Sequence, residues 1–188
     1  MNGLFSDCKS LTSINLSSFD TSSVKSMDFM FSNCNSLTSL NLSNFNTSLV
    51  KNMDQMFFGC NSLISLDLNN FDTSSVLYMN KMFADCSVLN SLYIANFDMS
   101  LIEDMEKMFS GLSSLIILDL TNFNIPVELD INNTFIDLNT NLTYCINEKK
   151  NTDLSSQLSS FQNDCYKVCL TNPNKKFIFF LYKKNKDL

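Results

Sequence analysis

The chain has 188 residues and a formal charge of −6, with 45% apolar residues, 17 Phe and 10 Met but no His, no Trp and no Arg. That length allows one domain with a modest tail, and the missing His removes both the side chain that titrates near neutrality and the commonest metal ligand. Residues 1–144 hold 5 Lys against 15 acids, a balance of −10, and residues 145–188 hold 8 Lys against 4, a balance of +4, so the body excludes the clustered cations that nucleic-acid binding needs.

The N-terminus, Met-Asn-Gly-Leu-Phe-Ser-Asp-Cys, has neither a basic start nor an apolar stretch of signal-peptide length. Met1, Leu4, Phe5 and Cys8 align with Met27, Met30, Phe31 and Cys34, so the chain begins halfway through a repeating unit. It reads as a fragment of a longer protein or a gene begun at an internal Met, with an open N-terminal edge expected to self-associate.

From there the sequence repeats without gaps at a period of 26. Leu11, Leu37, Leu63, Leu89 and Leu115 form one column, and Leu16, Leu42, Leu68, Ile94 and Leu120 another. Phe19, Phe45, Phe71, Phe97 and Phe123 follow, then Met27, Met53, Met79 and Met105, and the cysteines Cys8, Cys34, Cys60 and Cys86. In each unit L-x-x-L-x-L alternates as a half-buried strand does. The next stretch, V-x-x-M-x-x-M-F, has the spacing of one helix face. Between them Asp/Asn-Thr-Ser, as at Asp20-Thr21-Ser22, is a helix N-cap signal.

Strands are therefore expected at 14–16, 40–42, 66–68, 92–94 and 118–120, and helices near 23–32, 49–58, 75–84 and 101–110. The implied fold is α/β, a solenoid of 26-residue strand-turn-helix units with a parallel sheet along one side. The pattern decays after Phe123, although Phe135, Tyr144 and Ile146 still fit their columns, and a degenerate terminal unit covers the open end of a stack. Two segments follow: 1–147 as the repeat array, and 148–188 as a polar linker and a Cys/Lys-containing tail. No apolar run is long enough to span a bilayer; the longest candidate is Phe177–Tyr182.

The unit Leu37 to Cys60, L-T-S-L-N-L-S-N-F-N-T-S-L-V-K-N-M-D-Q-M-F-F-G-C, resembles the leucine-rich repeats of BspA-like surface proteins of bacteria such as mycoplasmas and lactobacilli and of mucosal protists. The resemblance covers residues 1 to about 147, most specifically in the string Leu68 to Ser74 and the M-F…C-x-x-L ending. It implies a surface-exposed or secreted, non-enzymatic protein that attaches to a protein or glycoprotein of a host or neighbouring cell. It carries over no catalytic residue and no cofactor. The chain departs from that pattern in lacking a signal peptide and an anchor, which leaves a cytoplasmic location open.

The chemistry-bearing residues point the same way. The ladder cysteines are expected to be small buried core residues. Cys145, Cys165 and Cys169 lie outside the ladder and are disulfide candidates, an odd set that leaves one thiol over. Carboxylates such as Asp67, Asp119, Glu103, Asp104 and Glu106 occupy columns that elsewhere hold Asn, Ser or Lys, the pattern of a solvated face. No metal-ligand spacing occurs, and the sequons at Asn15, Asn41, Asn46, Asn132 and Asn141 follow from an Asn- and Ser-rich composition.

The informative positions are polar columns that turn apolar. Tyr93 stands in the column Asn15, Asn41, Asp67, Tyr93, Asp119, and Ile64 and Ile116 stand in the column Thr12, Thr38, Ile64, Asn90, Ile116. These five residues, Tyr93, Ile64, Ile116, Asp67 and Asp119, are the expected partner-binding set on the strand face, with sequence drift or cover by the C-terminal tail as the alternative reading of the apolar positions. Leu77 and Tyr78 are the corresponding changes on the other side. The expected function is non-enzymatic adhesion or protein recognition, with an intracellular leucine-rich-repeat scaffold as the alternative. An enzyme fares worst, since no clustered acids, His or Arg mark a cleft.

Overall fold

Each step across the sheet repeats the step along the sequence. In the computed structural model, which describes residues 1–131, 133–146 and Leu158, four short strands form one parallel sheet in chain order. They are β1 (Ser65–Asp67), β2 (Ser91–Tyr93), β3 (Ile117–Leu120) and β4 (Thr143–Ile146). Ser65 faces Ser91, Ser91 faces Ile117 and Ile117 faces Thr143, each pair 26 residues apart. Alternation sends Leu66, Leu92, Leu118 and Tyr144 inward and their neighbours outward. The expected strands at 66–68, 92–94 and 118–120 thus exist, two of them one residue earlier. Those at 14–16 and 40–42 are not formed; there the rungs meet through a long Thr38 N–H bond to the Thr12 carbonyl, 3.4 Å. The expected tail 148–188, Cys165 and Cys169 included, lies outside the described residues apart from Leu158.

The four expected helices are absent: among the described residues there is no helix, and 23–32, 49–58, 75–84 and 101–110 are built of turns joined by single bridges. The hydrogen bonds show why. Met27, Phe29, Phe31 and Asn33 donate to the carbonyls of Asn52, Asp54, Met56 and Phe58 in the next unit, at 2.7–2.9 Å. The alternate residues Met30, Ser32 and Cys34 donate back three positions, to Met27, Phe29 and Phe31, as β-turns do. Residues three apart in successive turns share a side, so Met27, Met30, Phe31 and Cys34 all point inward and imitate a helical stripe. Positive φ at Phe29 and Asn33, at Gln55 and Gly59, and at Lys81 and Asp85 rules out a right-handed helix there.

The Asp/Asn-Thr-Ser string is likewise not a helix cap. The Thr21 hydroxyl donates to the Asn46 carbonyl at 2.9 Å and accepts from the Asn46 N–H at 2.7 Å. Thr47 and Thr73 repeat this with Asp72 and Asp98. One buried hydroxyl thus closes both backbone groups of the following rung, which is why Thr21, Thr47 and Thr73 are buried polar residues. The Asp or Asn before each Thr caps its own turn, Asp20, Asn46 and Asp72 accepting from Ser22, Ser48 and Ser74.

Inside, the phenylalanines stack. Phe5, Phe31, Phe57, Phe83, Phe109 and Phe135 form a continuous column with ring centroids 5.4–5.9 Å apart and planes within 17°. Phe97 and Phe123 extend a second column at 6.5 Å. Stacked aromatic pairs contribute about 0.5–1.5 kcal/mol beyond their burial. The Met, Leu and Cys columns fill the space around them, with Leu158 packed against the same core. A core built of identical rows leaves the outward faces free to vary, which is where the candidate site lies.

Candidate functional site

A hollow of about 290 Å³ opens on the outward face of β2 and β3. Its lining includes Tyr93, Ile116, Ile117, Ala95 and Asp119, with Asn69 and Asn90 contributing amides. The strand register places it: Ser91 opposite Ile117 sets the two rungs side by side, and alternation turns residues 91, 93, 117 and 119 outward. Of the expected partner-binding residues, the structure brings Tyr93, Ile116 and Asp119 into this hollow. Asp67 pairs in register with Tyr93 one rung away, and Ile64 is exposed on that same rung, outside the lining. Ile64 is 53% and Ile116 55% exposed. Ala95 and Asn69 were not singled out from the sequence, although Ala95 is the one apolar residue in the column Ser17, Ser43, Asn69, Ala95, Thr121.

The column of Tyr93 shows what the fold itself requires. Asn15, Asn41, Asp67 and Asp119 each accept, through Oδ1, the backbone N–H two residues on, at 3.0–3.1 Å. That bond fixes the turn leaving the strand. A phenol cannot make it, so Tyr93 replaces a turn-forming residue with an aromatic surface. Asn69 Oδ1, also in the lining, is shielded and accepts no hydrogen bond. The hollow therefore presents a mainly apolar wall with a few amide and carboxylate groups, the usual composition of a recognition site.

The turn edge is different in character. Tyr78 donates from Oη to Glu103 Oε2 at 2.7 Å, and that bond with the Glu103 charge raises its pKa. Burial raises the pKa of Asp54, against the hydrogen bond its Oδ1 accepts from Asn80 N at 2.7 Å. The column Asp28, Asp54, Asn80, Glu106 runs along this edge, and the Asn80 Oδ1 accepts from Glu106 N in turn. The Asp54 carboxylate thus completes a backbone hydrogen bond to the next rung, and the Asn80 amide continues the pattern. Among the described residues no group of three or more His, Cys, Asp or Glu is placed to hold a metal ion. No helix there is long and apolar enough to cross a membrane.

The cysteine column is mostly core, with one correction. Cys34, Cys60 and Cys86 are buried and donate from Sγ to the carbonyls of Phe5, Phe31 and Phe57, at 3.0–3.2 Å. Cys8, in the first unit, is exposed. Burial pushes the Cys34 thiol up to about 12, and contact with Cys86 together with burial raises that of Cys60. Raised in this way and buried, both thiols carry little of the reactive thiolate near neutral pH. Cys145 is disulfide-bonded, and Cys8, Cys34, Cys60 and Cys86 are all free.

Comparison with known proteins agrees with a repeat read in overlapping frames. A family model described as "Mycoplasma protein of unknown function, DUF285" matches residues 1–122 and, in a second overlapping alignment, residues 38–148. No curated protein and no solved structure matches the chain. With well over half of its length matched, the chain belongs to the DUF285 family of Mycoplasma proteins of unknown function.

Proposed function

We propose that this chain is a non-enzymatic recognition module of the BspA-like leucine-rich-repeat kind, a surface or secreted solenoid that binds a protein or glycoprotein through its strand face. The solenoid reading is supported by the constant 26-residue offset of the sheet register and by the Phe column that runs through successive units. The units are strands and turns, so the helix of the more familiar repeat is replaced by a turn ladder.

The single observation that carries the functional reading is the hollow at Tyr93, Ile116 and Asp119. It sits where columns that are polar in other units become apolar. A rigid ladder holds these groups in place, so binding immobilises few flexible side chains. An aromatic anchor ringed by polar groups is the common form of a protein-binding hot spot.

A panel of extracellular-matrix and mucosal glycoproteins, presented to the purified chain, tests the reading. At least one member is expected to bind, and Tyr93→Ala should weaken that binding by about 1–2 kcal/mol with little change in melting temperature. Leu77→Glu, on the turn edge, should bind as the unaltered chain does. Loss of binding in Leu77→Glu with none in Tyr93→Ala would move the contact to the opposite edge and sink the proposal.

A further inference from the structure

The turn edge carries a pattern that reads the same from either end except for the sign of its charge, and from it we infer that two copies of this chain pair through that edge about a twofold axis. The column Ser23, Leu49, Ser75, Leu101 is polar except at the two leucines, which are 50% and 54% exposed. Two residues on, the column Lys25, Lys51, Leu77, Glu103 has a cation in the unit of Leu49 and an anion in the unit of Leu101. Leu77 lies one unit from each. None of these residues belongs to the strand face, so this pairing and the strand-face reading fail separately.

The backbone puts these side chains on one surface. Val50, Val76 and Ile102 are buried, so the residues on either side of each point outward. The Lys51 N–H donates to the Lys25 carbonyl, Leu77 to that of Lys51 and Glu103 to that of Leu77, at 2.7–2.9 Å, which holds the column in register. Rungs about 4.8 Å apart set Lys51 and Glu103 about 10 Å from each other with Leu77 between them. Both charged residues are exposed, and among the described residues neither is in an ion pair. Turning a second copy over, about an axis lying across the stack at Leu77, reverses the order of its rungs. Lys51 of one copy then meets Glu103 of the other and Glu103 meets Lys51, Leu49 and Leu101 pair in the same reciprocal way, and Leu77 meets Leu77. A twofold contact needs this self-complementarity, residue i against j and j against i. Stacking does not ask for it, since Ser23 and Ser75 serve in the column of the leucines. The Tyr78 phenol, bonded to Glu103 Oε2 at 2.7 Å, already holds that carboxylate, so less freedom is lost on pairing.

Sedimentation velocity of the full chain over a concentration series tests this. The expected result is a monomer–dimer equilibrium that weakens with added salt. Lys51→Glu and Glu103→Lys each place two like-charged pairs in the contact and should raise the dimer dissociation constant at least about tenfold. The double variant Lys51→Glu/Glu103→Lys, which swaps the charges, should return it to within about threefold of the parent. An equimolar mixture of the two single variants should also pair, because every charged contact then joins a Glu to a Lys. Both positions are exposed, so all three variants should melt as the parent does. A chain that is monomeric throughout the series would overturn the proposal. So would a dimer indifferent to either reversal, which would place the contact on another surface, and so would a double variant as weak as the single ones.

Discussion

Replacing Thr47 with Val isolates the hydroxyl ladder from packing. The two side chains have nearly the same shape, and Thr47 is only 1% exposed, so no cavity opens. What disappears is the pair of bonds to Asp72: donation to its carbonyl at 2.9 Å and acceptance from its N–H at 2.9 Å. A buried backbone group stripped of its partner costs about 1–3 kcal/mol. Both bonds to Asp72 are only partly buried, so a cost near the bottom of the range, about 1–1.5 kcal/mol, applies to each group and the expected loss is about 2–3 kcal/mol. For a domain of this size that is a fall in melting temperature of roughly 4–12 °C. Thr47→Ser keeps the hydroxyl and loses one methyl, an expected cost of about 1 kcal/mol. Urea denaturation followed by circular dichroism compares the two, provided the transitions stay single, since repeat arrays can lose cooperativity. Met99 stands in the same column, fully buried and with no hydroxyl to offer. If Thr47→Val is as stable as Thr47→Ser, apolar filling suffices throughout the column and the ladder is not a source of stability.

Three further outcomes follow from particular groups. Burial raises the folded pKa of Asp54 above its unfolded value, so folding takes up a proton and stability falls as pH rises from the unfolded through the folded pKa. Asp54→Asn, which mimics the neighbouring Asn80, should therefore melt higher than the parent at neutral pH, and the gap should close in acid. Native alkylation followed by peptide mapping should label Cys8 rapidly and leave Cys34, Cys60 and Cys86 unmodified until the chain unfolds; labelling of Cys60 in the native state would contradict the core assignment. Gly111 has φ +73°, and a Cβ there would lie 2.5 Å from Asp85 Oδ1 and 3.3 Å from the Asp85 backbone. Gly111→Ala should destabilise by about 1–3 kcal/mol in thermal melts, and a neutral result would mean that the turn can relax.

The repeat length, the columns, the strand rungs from Ser65 onward and the last rung at Tyr144 and Ile146 were all legible, because identical rows of apolar residues leave one way to stack. The turn ladder was not. Inward residues at 27, 30, 31 and 34 have a helix's spacing, and only the destination of the backbone hydrogen bonds distinguishes the two. One signal was available: the column Asp7, Asn33, Gly59, Asp85, Gly111, Asp137 holds only Gly, Asn and Asp, the residues that accept positive φ. Phe29, Gln55, Lys81 and Lys107 share that conformation with no compositional mark. At the site, Tyr93 and Ile116 stood out as departures within their columns, whereas Asp119 shares its column with Asp67. Ala95 and Asn69 were hidden because each is an ordinary residue whose role comes only from the hollow beside it.

Hydrogen-exchange footprinting of the full chain, with and without a bound member of the glycoprotein panel, tests the strand-face claim most directly. Protection is expected to concentrate at 64–69, 90–95 and 116–121, the rungs around Tyr93, with the turn edge unchanged. Protection concentrated instead at 51–58, 77–84 and 103–110 would place the partner on the turn ladder and contradict the account.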